Sequence, residues 1–156
     1  MDSLIVFVAK YFLYISIIIV GVYWLRASTN DKFSLAWKLI GGGILALAMA
    51  RVGGHFYYDT RPFVAHHIKP LFAHAADNGF PSDHALLTSF LGFSMIPYSR
   101  RVATALLINA VLVGWARVAA HVHSPIDIIG SFVFAGVSAA IIVWIDRIVS
   151  KRGAAR

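Results

Sequence analysis

The sequence predicts an all-α integral membrane protein: a helical bundle with about five transmembrane helices, plus short interfacial helices in the 59–80 loop. Two observations carry this. Of the 156 residues, 59% are hydrophobic and only 13% are charged, about half the charge fraction of an ordinary soluble domain. The apolar residues also come in long unbroken runs, without the alternation or single-face spacing of a soluble fold. The whole chain, 1–156, reads as one domain.

Span 1 covers about Leu4 to Leu25 and closes on Trp24 and Arg26, an aromatic and a cationic interfacial anchor. It carries Lys10 and lacks a small-residue cleavage site, so it is expected to be a retained span. After the polar turn Ser28–Lys32, span 2 runs from about Ser34 to Phe56, with Trp37 and Lys38 at its entry. Its Gly41-Gly42-Gly43 would weaken a soluble helix, but within a membrane small residues let helices approach closely.

Residues 59–80 form the longest loop, broken by Pro62 and Pro70 and apolar enough (Phe63, Leu71, Phe72, Phe80) to lie on the membrane surface. Loops of this length in a compact domain are usually functional or disordered. Span 3 is short, about Ser82 to Tyr98, with Ser82 a suitable N-cap. Span 4 runs from about Val102 to His121 and span 5 from about Ser124 to Ile148, followed by a basic tail of Lys151, Arg152 and Arg156.

Five spans place alternate connections on opposite faces. One face receives the Arg26–Lys32 turn, Arg100-Arg101 and the C-terminal tail, so the positive-inside rule makes it cytoplasmic. The other receives the long loop, the 117–124 turn and all seven histidines. The net charge of +7 fits this topology and contact with anionic lipid heads. It does not suggest nucleic-acid binding, because no basic run is interleaved with exposed aromatics. With no cysteine, disulfides are excluded.

Chemistry concentrates in three pieces. Arg117, His123 and Asp127 lie within about three helical turns of an oily stretch, where charge is costly and needs a reason. An arginine forks a phosphate, a histidine serves as nucleophile or proton carrier, and a neighbouring aspartate orients it. Ser124-Pro125-Ile126-Asp127 also reads as a helix start related to the capping box, which accounts for Ser124 and Asp127 but not for His123 or Arg117. Pro81-Ser82-Asp83-His84 starts another helix, whose free N–H groups suit an anion. Arg61-Pro62 alone says little. His55, His66, His67, His74 and His121 are expected at the surface or interface. Without cysteine, glutamate or an HExxH pattern, no metal site or other cofactor is expected.

Together the three pieces resemble the type 2 phosphatidic acid phosphatase superfamily, whose pattern is Lys-x6-Arg-Pro, Pro-Ser-x-His and Ser-Arg-x5-His-x3-Asp. Pro81-Ser82-Asp83-His84 matches in full, and the third piece matches at Arg117, His123 and Asp127. The motif lysine would fall at Gly54 and the motif serine at Ala116, so both positions depart. The run from Arg61-Pro62-Phe63-Val64 through Asp77-Asn78-Gly79-Phe80 to His84 looks most like the bacitracin-resistance type of undecaprenyl-diphosphate phosphatase.

The resemblance implies His123 as nucleophile, Asp127 as its orienting carboxylate and His84 as the acid. It implies Arg61, Ser82, Arg117 and Asp83 as phosphate-binding residues, with no metal required. Arg51 or Lys69 would replace the missing lysine. The implied substrate is a polyprenyl diphosphate in a bacterial plasma membrane, met on the periplasmic or outer face. Another lipid phosphatase, acting on phosphatidylglycerophosphate, phosphatidate or a lipid A phosphate, is the alternative in the same class. A non-enzymatic carrier or anion-binding subunit is the alternative from another.

Overall fold

In a computed structural model, the described residues are 1–154 for the backbone and 1–149 for side chains. The helices are α1 (Asp2–Arg26), α2 (Thr29–Phe56), α3 (Pro62–Ala65), α4 (Asp83–Ser94), α5 (Arg100–Ala119) and α6 (Pro125–Ala154). The side chains of Lys151 and Arg152, and all of Arg156, lie outside the described residues.

Among the described residues, α1, α2, α5 and α6 are long and apolar enough to cross a bilayer, for which roughly 20 residues suffice. Their outward faces carry exposed Ile18, Ile40, Ile44, Val111 and Val133, as lipid contact requires. Span 3 proves different in kind. Helix α4 has 12 residues and then turns through Met95–Tyr98. It is enclosed by the other helices, with Ala85, Leu86, Phe90 and Leu91 buried. A helix wrapped in protein does not need a full lipid-facing length. Its buried Thr88 and Ser89 are satisfied by donating to His84 O (2.7 Å) and Ala85 O (2.6 Å) in the preceding turn.

Local signals set the helix ends. Ser28 caps α2 by accepting from Asp31 N (3.2 Å), so α2 starts several residues before Ser34. Ser99 caps α5 by accepting from Val102 N (3.4 Å). The glycine run of α2 serves close packing: a Cβ on Gly42 would stand 2.9 Å from the Phe90 ring of α4 and 3.1 Å from Ile142 of α6. Between α1 and α5, Asn109 donates to Phe12 O (2.9 Å) and Ser16 Oγ (2.8 Å).

The polypeptide alternates direction, so the ends of α2 and α5 meet the starts of α4 and α6 at one end of the bundle. The 57–82 segment caps that end. It holds one short helix, α3, where the sequence suggested several; turns and a Thr60–Asn78 bridge make up the rest. It is pinned to the helices at two places. Leu71 and Phe72 pack against Ile5, Val8, Ala116 and Val122, and Leu71 N donates to Ala120 O (3.3 Å). Asn78 is the second pin: its Nδ2 donates to Gly54 O (2.8 Å) and Tyr57 O (3.0 Å), and its Oδ1 accepts from Asp59 N and Phe80 N.

At the opposite end, Lys38 is buried. Its Nζ lies 2.7 Å from Asp146 Oδ2 of α6 and donates to Ser34 Oγ (2.6 Å) and Tyr98 Oη (3.0 Å).

Candidate active site

The site is built where α4 and α6 begin. Asp127 sits in the first turn of α6, on the same helical side as His123 just before it. His123 Nδ1 lies 3.1 Å from Asp127 Oδ2, which also accepts from Ser124 N (2.9 Å). Half of the expected capping box therefore forms. The other half does not, because Ser124 Oγ donates to Asp59 Oδ2 instead. Asp127 is fully buried and its Oδ1 has no protein partner. Beyond it, Ser131 Oγ donates to both Asp127 O (2.7 Å) and Ser82 O (2.9 Å), and Ser82 N donates to Asp127 O (3.4 Å). The start of α4 is thereby bolted to the first turns of α6, which fixes His84 relative to His123.

With Nδ1–H directed at Asp127, the His123 Nε2 carries the lone pair. It faces two guanidiniums: Arg117 Nη2 at 3.1 Å and Arg61 Nη1 at 3.3 Å. Arg61 is held rigidly, donating from Nη1 to Val122 O (2.7 Å), from Nη2 to Asn78 O (3.1 Å) and from Nε to Asp77 Oδ1 (2.8 Å). Arg117 lies over the Phe72 ring, 5.5 Å from its centroid. Its Nε, and Ser82 Oγ at the N-cap of α4, are buried without protein partners. The unpaired N–H groups of the first turn of α4 are a ready anion site; Ser82, fully buried at its start, is not part of the adjoining cavity's lining.

A cavity of about 330 Å³ opens between these groups. Arg61, Arg117, His123, His84 and Asp83 line it, and so does Arg51 from α2. Lys69 is exposed and is not part of the lining. Asp83 has an exposed side chain; its carboxylate would repel a phosphate, so its contribution falls to its backbone N–H at the helix start. Among the described residues no group of three or more His, Cys, Asp or Glu is arranged to hold a metal.

Burial pushes the His123 pKa below the usual imidazole value, and Arg117 and Arg61 act the same way; the Asp127 hydrogen bond opposes them in part. Burial alone would raise the Asp77 carboxyl, but the Arg61 hydrogen bond outweighs it and holds the pKa below the ordinary value.

Residues 32–150 match the model of the PAP2 superfamily, type 2 phosphatidic acid phosphatases. The chain belongs to the PAP2 superfamily. It is a multi-pass membrane protein and a phosphatase of that superfamily. The undecaprenyl-diphosphatase BcrC of Bacillus subtilis (strain 168) is 33% identical over 135 residues, covering 86% of this chain and 69% of that one. The putative undecaprenyl-diphosphatase YbjG of Escherichia coli (strain K12) is 31% identical over 147 residues, 92% of this chain and 74% of that one. Among solved structures, LpxE of Aquifex aeolicus superposes with a TM-score of 0.67 at 18% identity, over 92% of this chain and 87% of that one. A PAP2-type phosphatidylglycerolphosphate phosphatase from Bacillus subtilis gives 0.67 at 18% identity, over 95% and 77%. At that identity the likeness concerns the fold.

Two PAP2 departures acquire a physical reading. A Cβ at Gly54 would lie 2.9 Å from the backbone oxygen of Phe80, so the motif lysine's position is closed by the loop. Ala116, at the motif serine's position, is fully buried in the cluster with Ile5, Val8 and Ala9 of α1.

His74, read from sequence as a surface residue, belongs to this region instead. Its Nε2 is 2.9 Å from Arg117 Nη2 and its ring centroid is 5.9 Å from that of His123. No helical period or motif marks it, because its place depends on the packing of Leu71 and Phe72 onto α1 and α5. Asp59 and Asn78 were missed for the same reason, although the Asn78-Gly79 pair is a recognisable turn signal.

Proposed function

We propose that this PAP2 phosphatase removes the terminal phosphate of a polyprenyl diphosphate, most simply undecaprenyl diphosphate, by way of a phosphohistidine. The observation that supports it is the His123 geometry: a lone pair on Nε2 beside two guanidiniums, with a buried carboxylate behind the ring. His123 Nε2 attacks the terminal phosphorus and the phosphoanhydride bond breaks. The lipid monophosphate leaves, taking a proton from His84. His84 then removes a proton from water, whose oxygen attacks the phosphoryl group and releases phosphate and free His123. Asp127 holds the ring and stabilises its cationic form. Arg61, Arg117, Ser82 Oγ and the N–H groups starting α4 bind the equatorial oxygens as charge shifts, with Arg51 completing the wall of the cavity. Guanidinium clamping supplies the electrostatic stabilisation that a metal gives in other phosphatases.

The diphosphatase names of the relatives from Bacillus and Escherichia favour this substrate class. The end of the bundle that holds the site would face the periplasm or cell exterior, because Arg26, Lys32, Arg100, Arg101 and Arg147 gather at the other. Such an enzyme recycles carrier lipid for cell-wall precursors and lessens sensitivity to bacitracin.

Phosphate release from detergent-solubilised undecaprenyl diphosphate, phosphatidylglycerophosphate, phosphatidate and a lipid A phosphate, with and without chelator, tests the reading. Preference for the polyprenyl diphosphate, indifferent to chelator, is expected. Preference for another lipid, or loss with chelator, contradicts it. In the same assay Arg51→Ala is expected to lower turnover about tenfold; unchanged turnover removes Arg51 from the clamp.

A further inference from the structure

We propose that His74 completes the phosphate clamp as a cation charged only while phosphate is bound, in place of the motif lysine that Gly54 cannot supply. The inference rests on the reading of this cavity as a phosphate site. At Gly54 a side chain has no room beside Phe80 O, and Asn78 Nδ2 ties the Gly54 carbonyl to the same loop. The loop that closes the lysine's position is the loop that delivers His74. It is anchored just upstream, where Leu71 and Phe72 pack on α1 and α5, and just downstream, where Asp77 pairs with Arg61.

The His74 hydrogen bonds define which ring nitrogen carries the proton. Nδ1–H donates to Ala75 O (3.3 Å), so Nε2 accepts from Arg117 Nη2 (2.9 Å), and the ring is neutral. Its charged surroundings agree. Arg61 comes from the loop, Arg117 from α5, Arg51 from α2 and His123 from the α5–α6 turn, while Asp77 is already paired with Arg61 and Asp83 and His84 line the cavity from α4. Burial and then Arg61 hold the His74 pKa below its usual range.

A phosphate entering between the guanidiniums offsets that field. Arg117 Nη2 turns to a phosphate oxygen, and His74 Nε2 takes one proton from solvent and donates it as a second hydrogen bond. Binding is then coupled to uptake of one proton, which a lysine would not require.

The test is calorimetric titration of the detergent-solubilised full chain with inorganic phosphate, in two buffers of different ionisation enthalpy, at pH 6 and pH 8. His74→Gln retains an acceptor for Arg117 but carries no charge. It is expected to bind phosphate roughly tenfold more weakly at pH 6 and to take up fewer protons than the wild type. His74→Lys is expected to regain affinity without the pH dependence. Equal affinity and equal proton uptake in wild type and His74→Gln would overturn the proposal, as would failure of the wild type to bind phosphate. Thermal unfolding of each variant separates lost affinity from lost fold. Phosphate binding without hydrolysis of polyprenyl diphosphate would sink the substrate reading and leave this one standing.

Discussion

His123 Nδ1 lies 3.1 Å from Asp127 Oδ2, one helical turn further on and wholly buried. The contact fixes which ring nitrogen carries the proton and so leaves Nε2 free toward the guanidiniums. Asp127→Asn keeps the size of the side chain and can still accept from Ser124 N, but its amide group can donate to Nδ1 and select the wrong tautomer. Turnover is expected to fall by roughly 10²–10⁴, with little change in thermal midpoint. A phosphate-release rate within a few-fold of the wild type would show that the carboxylate does not set the ring's state.

In the proposed mechanism only neutral His123 attacks. Burial depresses its pKa below 6.5, so protonation removes the nucleophile only on the acid side of that value. The acid limb of kcat/KM is expected below pH 6.5. A limb centred above pH 7 would mean that Asp127 outweighs burial.

Gly79 is packed against the Asp127 carboxylate. A Cβ there would meet Asp127 Oδ2 at 2.8 Å and the backbone oxygen of Asp59 at 3.1 Å. Gly79→Ala must therefore move either the carboxylate or the pinned loop, an overpacking cost of about 1–3 kcal/mol. Both the unfolding midpoint in detergent and the turnover should drop. Wild-type values for both would show that the loop yields freely.

How much of this was legible in the sequence follows from the range of each interaction. Asp127 could be placed beside His123 because Ser124-Pro125 starts a helix and the spacing does the rest. Ser82 and His84 follow from the same reasoning at α4. The spans were visible as apolar runs, although the enclosure of α4 by its neighbours was not, since burial in protein and in lipid look alike in composition. His74 stayed hidden because a chain passing through Pro70 and Gly79 has no period, and its course is decided by contacts of Phe72 and Asn78 with distant helices. The sequence placed Lys38 at the entry of span 2 but did not show its partner, Asp146, which lies almost at the other end of the chain.

That pair gives a test remote from the chemistry. The Lys38 side chain is 7% exposed and that of Asp146 is 29% exposed, so removing the carboxylate strands the more deeply buried charge. Asp146→Leu is expected to lower stability by roughly 3 kcal/mol, Lys38→Met by less, and the double variant to recover part of the loss. The measurement is unfolding in detergent. Equal, additive effects of the two single substitutions would contradict a coupled pair.

The account turns on a phosphoryl group becoming bonded to His123. Rapid quench of the protein with polyprenyl diphosphate labelled in its terminal phosphate, followed by mapping of the labelled peptide, tests that directly. Acid-labile, base-stable label on His123, absent from His123→Asn, is the expected result. Label retained by His123→Asn, or carried on any other residue, would contradict it.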